Sequence, residues 1–287
     1  MGTLYIVSTP IGNLNDITKR AIDTLKKADI ILCEDTRTSM KLLNHFDIKN
    51  KLVSYHKYNE QETQENILKI LKENNNIALI SDAGTPCISD PGHILVKEAR
   101  KNNIKVIPVG GISAAITALS ASGLETDKFT FQGFFPRDTK EKTKLITNLK
   151  ETNIKTHIFY ESPKRIIKTL EYLEKNLENI TVSLFKELTK IHEKNYYGNI
   201  TKILEELKQD EKSSNGEYTL IIEITHNTKK QEEQISKEAL IIDKVIKENI
   251  SIKEAIEILN QEYKDISKKD LYSASLNIKN ILNTKHE

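Results

Sequence analysis

Apolar and polar positions run through this chain in two periods. Short apolar runs recur at residues 4–7, 30–33, 52–53, 77–80, 105–107, 130–132, 157–160, 182–185 and 218–224. Between several of them apolar residues fall at helical spacing, as at Ile17, Ala21 and Leu25 or at Ile67, Ile70 and Leu71. Strand-length runs alternating with amphipathic helices predict βα units, hence an α/β fold with a mainly parallel first sheet. The later runs read differently. One helix near 200–207 separates the strands at 183–186 and 218–224, and the aromatic stretch 129–135 turns at Pro136. The pattern predicts two α/β lobes, residues 1–112 and 113–227, linked by a helix starting near Ser113, with a ligand cleft between them.

Beyond Thr228 a charged linker at 229–233 leads to helix-periodic segments at 235–247, 251–259 and 267–281. Ser251 with Glu254, and Ser267 with Asp270, each place a cap residue three positions before an acid. A small C-terminal helical domain over 228–287 is expected. Composition supports the division: all 10 Gly and all 6 Pro lie at or before Gly216, so the loop-rich part stops there.

Charge narrows the partners. A net charge of +2 with 29% charged residues gives no bulk attraction to nucleic acid, so any such partner must be recognised locally. No apolar run approaches membrane-spanning length and no secretory pattern precedes the first strand, so a cytoplasmic protein without a membrane partner is expected. Cys33 and Cys87 are the only cysteines, too few for a disulfide framework or a cysteine-based zinc site. The 7 His are dispersed, and no metal is expected.

Three loops share one grammar. Thr9-Pro10-Ile11-Gly12-Asn13-Leu14, Ser81 to Gly92, and Pro108-Val109-Gly110-Gly111-Ile112-Ser113 each follow an apolar strand. Tight polar turns at strand ends are where α/β proteins build ligand sites. The dinucleotide fingerprint and the phosphate-loop motif are both absent, which disfavours a nicotinamide dinucleotide or a nucleoside triphosphate. What remains is small side chains, backbone donors and the carboxylates Asp82 and Asp90, a set suited to a zwitterionic nucleoside. Plainer readings stand beside this one. Gly12 and Asn13 also serve as a turn before a helix capped at Asn15 or Asp16, and Gly110-Gly111 as close packing before a helix capped by Ser113. The 81–92 loop favours the ligand reading more strongly, because burying Asp82 and Asp90 unpartnered is costly.

Polar groups gather at other strand ends. Glu34-Asp35-Thr36-Arg37 reads either as a capping ion pair or as a site in which Asp35 orients a hydroxyl and Arg37 holds a phosphate. Ser54-Tyr55-His56-Lys57-Tyr58-Asn59 interleaves aromatics with bases, a platform for a single-stranded nucleotide or a solvated loop anchored by tyrosines. In Phe159-Tyr160-Glu161-Ser162-Pro163-Lys164-Arg165 the bases open a helix against its dipole, which calls for a partner such as Glu161 or an external anion. Lys186-Glu187-Leu188-Thr189-Lys190 ends another strand.

Taken in order, these motifs, with Leu119-Ser120-Ala121-Ser122-Gly123-Leu124 and Gly133-Phe134-Phe135-Pro136-Arg137, resemble the small-subunit ribosomal RNA (cytidine-2'-O)-methyltransferases of the tetrapyrrole methylase superfamily. The resemblance covers nearly the whole chain. It implies a two-lobed homodimer that binds S-adenosyl-L-methionine in the interlobe cleft and methylates a cytidine ribose in the decoding region of 16S ribosomal RNA, within the assembled small subunit. Thr9, Pro10, Gly12 and Asn13 would border the cofactor, and Asp82, Ala83, Gly84, Thr85 and Pro86 would cradle it. Ser113, Ala114 and Tyr160 would complete its site. Methyl transfer to a ribose hydroxyl in turn calls for a carboxylate among Asp35, Glu161 and Glu187 to accept or relay the proton, with Lys186 or Arg37 holding phosphate or lowering the cost of negative charge. Two departures are visible. Gly110 and Ile112 stand where the family usually has proline, which should loosen that loop, and Lys186 stands for the usual arginine, without its bidentate fork. The rival readings are a precorrin-type tetrapyrrole methyltransferase and a non-enzymatic RNA-binding factor of ribosome assembly.

Overall fold

The computed structural model describes residues 1–225, 236–263 and 266–283. The linker expected at 229–233 lies outside them. The chain divides into two compact units, Met1–His226 and Asn227–Glu287.

The first unit contains two sheets. β1 (Thr3–Val7), β2 (Ile30–Cys33), β3 (Lys51–Ser54), β4 (Ile77–Leu79) and β5 (Lys105–Val109) alternate with α1 (Lys19–Lys27), α2 (Thr36–His45), α3 (Glu60–Lys72) and α4 (His93–Lys101). Every strand pair is parallel, in the order β3-β2-β4-β1-β5. Because successive strand residues face opposite ways, the sheet feeds two cores. Ile31 and Cys33 pack with Ala21, Leu25 and Leu43 of α1 and α2, while Leu32 packs with Ile67, Leu71, Leu95 and Ala99 of α3 and α4. The β1, β4 and β5 strands are neighbours, so the three Gly/Pro loops that follow them emerge side by side. Helix α1 is capped by Thr18, whose Oγ1 accepts the Ala21 N–H at 3.1 Å, and not by Asn15 or Asp16. The intervening residues instead form a short 3-10 turn, Leu14–Asp16, capped by Asn13.

After α5 (Ala114–Ser120) the second sheet is built from β6 (Phe129–Phe134), β7 (Thr156–Glu161), β8 (Ile180–Lys186), β9 (Lys194–Asn199) and β10 (Tyr218–Ile224), ordered β6-β7-β10-β8-β9. Only β6 and β7 pair in parallel. Helices α6 (Thr139–Glu151), α7 (Ile166–Asn176) and α8 (Ile200–Gln209) cover one face, and α5 covers the other through Ala115, Ala118 and Leu119. Strand β9 has no counterpart in the sequence reading. Its residues Lys-Asn-Tyr-Tyr-Gly-Asn lack an apolar run, and it is an edge strand whose pairing to β8 supplies what its side chains do not.

In the second unit, α9 (Lys237–Glu248), α10 (Ile252–Glu262) and α11 (Lys268–Asn283) bury Ile241, Ile256, Leu259, Leu271 and Ile278 in one small core. The expected capping box is formed. Ser251 Oγ accepts the Glu254 N–H, and Glu254 accepts the Ser251 N–H at 2.8 Å. Ser267 Oγ likewise accepts the Asp270 N–H at 3.2 Å.

Candidate functional site

The three first-sheet loops are tied into one wall. Thr9 and Gly84 exchange backbone hydrogen bonds, Thr9 N–H to Gly84 O at 2.8 Å and Gly84 N–H to Thr9 O at 3.1 Å. The buried Thr9 hydroxyl also donates to Ser81 O at 3.1 Å. Thr85 Oγ1 lies 3.0 Å from Ser8 Oγ and donates to Ile112 O at 3.4 Å, reaching the third loop. There Gly111 is required, since a Cβ on it would stand 2.7 Å from Ser8 Cβ. Gly110 has open space around it, and its carbonyl accepts from Thr18 Oγ1 at 3.3 Å. The loop that lacks the usual prolines is thus fixed by Thr85 and Thr18.

Against this wall stand the ends of β6, β7 and β10, enclosing a cavity of ≈ 310 Å³. Of the residues expected at a cofactor, Ala83, Thr85, Ser113, Ala114 and Tyr160 line it, as does Glu161. Ile11 is the first loop's contribution. Thr9, Pro10, Gly84 and Pro86 are packed beneath this surface as its frame. Gly12 and Asn13 are not on the lining. Gly12 abuts the Lys190 side chain, and Asn13 Oδ1 is engaged by the Asn15 N–H at 3.1 Å. Asp82 is exposed rather than buried, and it accepts the Asp35 N–H at 3.1 Å. The cost of burial that its loop suggested does not arise.

Asp90, which the sequence marks only as a loop carboxylate, lines the cavity. So do Phe134, Ser162, Pro163, Glu217, Tyr218 and Thr219, to which the motifs assign no role at a ligand. Asp90 carried a signal in its tight loop; Glu217 and Thr219 carried none, because only strand pairing brings them there. Burial, reinforced by the Glu34 and Asp82 carboxylates, pushes the Asp90 carboxyl up to about 6. Burial also raises the Tyr160 hydroxyl, against the opposing hydrogen bonds from the Ala115 backbone and the Ser113 side chain. The Cys87 thiol is pushed up to about 11 by burial beside Asp90 and Glu60, so it stays protonated and does not act as a nucleophile.

One register joins two of the candidate catalytic groups. Tyr218 of β10 pairs with Glu161 of β7 on one side and with Lys186 of β8 on the other. Glu161 is engaged through both oxygens. One oxygen accepts from Arg165 at 2.6–2.7 Å and from the Ser162 N–H at 2.6 Å, and the other accepts from Thr169 at 2.6 Å. Arg165 continues to the Phe135 carbonyl at 2.6 Å, so this residue, one of the two bases opening α7, does have the partner its position called for. The Lys186 ammonium is buried between Asp210 at 3.3 Å and the Lys212 carbonyl at 2.6 Å. Glu187 has a left-handed backbone, φ 53°. Its Oε1 accepts from Lys190 at 2.8 Å and from the Glu217 N–H at 3.0 Å, and its Oε2 accepts nothing from the described residues.

Asp35 and Arg37 sit apart from this row. Asp35 caps α2 by accepting the Arg37 N–H at 2.8 Å and pairs with the Arg37 guanidinium at 3.1 Å, which is the capping ion pair of the two readings. In the 54–59 loop Tyr55 is fully buried and donates to Glu60 at 2.9 Å. It offers no face to a base, and Tyr58 is the exposed aromatic there.

A family model described as Tetrapyrrole (Corrin/Porphyrin) Methylases matches residues 3–204. The Ribosomal RNA small subunit methyltransferase I of Halalkalibacterium halodurans is 44% identical over 276 residues, spanning 95% of this chain and 94% of that protein. Its namesake in Rickettsia prowazekii is 43% identical over 272 residues, 94% and 95% of the two chains. Among solved structures, uroporphyrin-III-C-methyltransferase from Thermus thermophilus shares the fold at TM-score 0.55 and 17% identity, over 78% of this chain and 94% of that one. Diphthine synthase does so at TM-score 0.61 and 12% identity, over 78% and 90%.

Proposed function

This chain belongs to the tetrapyrrole (corrin/porphyrin) methylase family, on its ribosomal RNA small subunit methyltransferase I branch, and from that membership we propose that it methylates the 2'-hydroxyl of a cytidine ribose in the decoding region of 16S ribosomal RNA. The proposal extends to S-adenosylmethionine as donor, the assembled small subunit as substrate, a homodimer as the working form and the cytoplasm as its place. One observation carries the substrate class. The 44% identity runs over 95% of the chain, whereas likeness to the porphyrin methyltransferase stops at 17% and concerns the fold alone.

The cavity's chemistry fits the donor. Its ≈ 310 Å³ lies in the range of roughly 300–1,000 Å³ usual for small-molecule sites. Ala83, Ser113 and Ala114 keep the wall thin, the Asp90 carboxylate suits a cationic centre, and the Tyr160 and Phe134 rings suit a planar base or a sulfonium. When bound, the donor supplies a methyl group already activated on positively charged sulfur. The protein's part is to align the ribose oxygen with that carbon and to remove its proton.

Among the three carboxylates considered, we assign the proton to Glu187, which does not line the donor cavity as Glu161 does but lies one hydrogen bond behind its wall residue Glu217. Glu187 has an oxygen without a described partner, and it neighbours Glu217 and Tyr218 of the cavity wall. Glu161 spends Oε1 on Arg165 and Ser162 and Oε2 on Thr169, and acts as a positioning residue, holding Ser162 in the lining. Asp35 holds the start of α2. The test supplies methyl-labelled S-adenosylmethionine with assembled small subunits and maps both the label and resistance to alkaline cleavage. A blocked ribose hydroxyl resists at its own linkage, and label without that resistance would reject ribose methylation.

A further inference from the structure

A second cavity, ≈ 390 Å³, opens at the end of β8 and just before β10. Its walls include Lys186, Glu187, His192, Lys194, Lys212 and Gly216. Gly216 is followed in sequence by Glu217, which lines the first cavity, so the two sites are one residue apart along the chain. Tyr218 lies between them in the same way, since it lines the first cavity while its ring sits 5.8 Å from the Lys186 ammonium.

The charge of this second cavity is fixed by the fold. Lys186 is 5% exposed, and its Asp210 and Lys212 carbonyl partners occupy two of its three N–H donors. Lys194 shares Asp210 at 3.1 Å. Asp210 is held down to about 2 by the Lys212 N–H and these ammonium groups, so it remains an anion. Glu187 shares Lys190 with Glu217, at 2.8 and 2.9 Å. Four lysines, Lys186, Lys190, Lys194 and Lys212, therefore meet three carboxylates, Asp210, Glu187 and Glu217, and Lys212 is exposed with its ammonium in no ion pair among the described residues. A concave site with surplus ammonium charge and a buried ammonium in its wall selects an anion with several acceptor oxygens.

We infer that this cavity holds a backbone phosphodiester of the RNA strand, the one joined to the ribose whose hydroxyl is methylated. The inference rests on the ribose-methylation reading above. A ribose 2'-hydroxyl and its neighbouring phosphate are attached to adjacent carbons, so a strand whose hydroxyl reaches the first cavity must bring its phosphate within a few bonds of it. Glu187, which lines the second cavity and accepts the N–H of Glu217 from the first, then lies at the hydroxyl and takes its proton. The departure to lysine at 186 is compatible with this role, because Lys186 acts as a fixed charge and its neighbours share the anion. Several single ammonium groups then do what an arginine fork would do at one point.

The test measures binding of a short single-stranded oligoribonucleotide to the full chain over a salt series, for the wild type and for Lys212→Gln and Lys194→Gln. Removing one phosphate contact should lower the slope of log affinity against log salt by about 0.7 and weaken binding several-fold. Thermal midpoint and S-adenosylmethionine affinity should stay at wild-type values. If Lys194→Gln unfolds because Asp210 is deprived of a partner, Lys212→Gln carries the result alone. An unchanged slope in folded Lys212→Gln overturns the inference. So does inorganic phosphate binding tightly where the oligoribonucleotide does not, because the cavity would then serve a free anion. Methyl transfer to the small subunit is read in parallel. Transfer with an unchanged slope leaves the enzyme reading standing and removes the phosphate site, whereas a changed slope without transfer does the reverse.

Discussion

Lys190 lies across Gly12. A Cβ placed on Gly12 would come within 2.4 Å of Lys190 Cγ and 2.8 Å of its Cε, so a side chain from the β8–β9 connection rests on the loop after β1. The same ammonium holds Glu187 at 2.8 Å and Glu217 at 2.9 Å. Both ion pairs depend on the stem having Gly12 to lie on.

Gly12→Ala should act both through Lys190 and through its own backbone, whose φ of 156° an alanine rarely adopts. The stem must swing away near its base, releasing Glu187 and Glu217, and methyl transfer should fall about tenfold while the fold stays intact. Lys190→Ala combined with Gly12→Ala removes the clash, so the two changes should be non-additive by roughly 0.5–3 kcal/mol. Strict additivity in a double-mutant cycle on kcat/KM would show that the contact does not transmit.

Glu161 and Glu187 should separate stability from chemistry. Glu161→Gln breaks a buried, hydrogen-bonded pair with Arg165, a change that typically costs about 3–5 kcal/mol, and should appear as a lowered denaturation midpoint. Glu187→Gln should leave that midpoint nearly unchanged and depress kcat by about 10²-fold, the lower end of what a proton acceptor contributes. The reverse pattern would exchange their roles.

Asp90 makes the cavity sensitive to pH. Its folded carboxyl titrates at about 6, against an ordinary 3.8. The folded state thus holds this proton more tightly than the unfolded chain. The corresponding stability is full below the ordinary value and is lost as pH rises to about 6. Asp90→Asn should accordingly be more stable than wild type at neutral pH, an advantage that disappears in acid. A cationic ligand needs the carboxylate, so calorimetric affinity for S-adenosylmethionine should fall as pH drops through about 6 in the wild type and should be weaker and flat in Asp90→Asn. Equal affinity in both proteins across that range would dissociate Asp90 from the ligand.

The second unit offers a test of local encoding. Ser251→Ala removes one side of the capping box of α10 and should cost about 0.5–2 kcal/mol. Hydrogen exchange should show faster opening of α9, α10 and α11 with no change in the first unit's strands. A change below about 0.3 kcal/mol would mean that the buried Ile256 and Leu259 hold the helix without its cap.

Much of this architecture is local in origin. The apolar runs of β1, β4 and β5, the turn residues after each, and the cap pairs at Ser251 and Ser267 are properties of short segments. Period, propensity and turn chemistry act over a few residues, so the sequence alone determines nine of the strands' positions, the helical tail and the three loops that frame the cavity. Where a segment's state depends on its neighbour, the sequence is silent. Strand β9 exists because β8 offers it hydrogen bonds, and Tyr55 is buried because Glu60 of α3 is there to accept from it.

The site itself was decided by tertiary structure. Strand order set β4, β1 and β5 side by side, and antiparallel register set Glu161, Tyr218 and Lys186 in one row. Neither is written in the spacing of residues, because hydrogen-bonded pairing is a relation between distant segments. Chain motifs could nominate Glu161, Glu187 and Asp35 alike. Only the packed structure, by engaging both oxygens of one with Arg165 and Thr169, assigning another to a helix cap and leaving an oxygen of the third without a described partner, distinguishes among three chemically equal carboxylates.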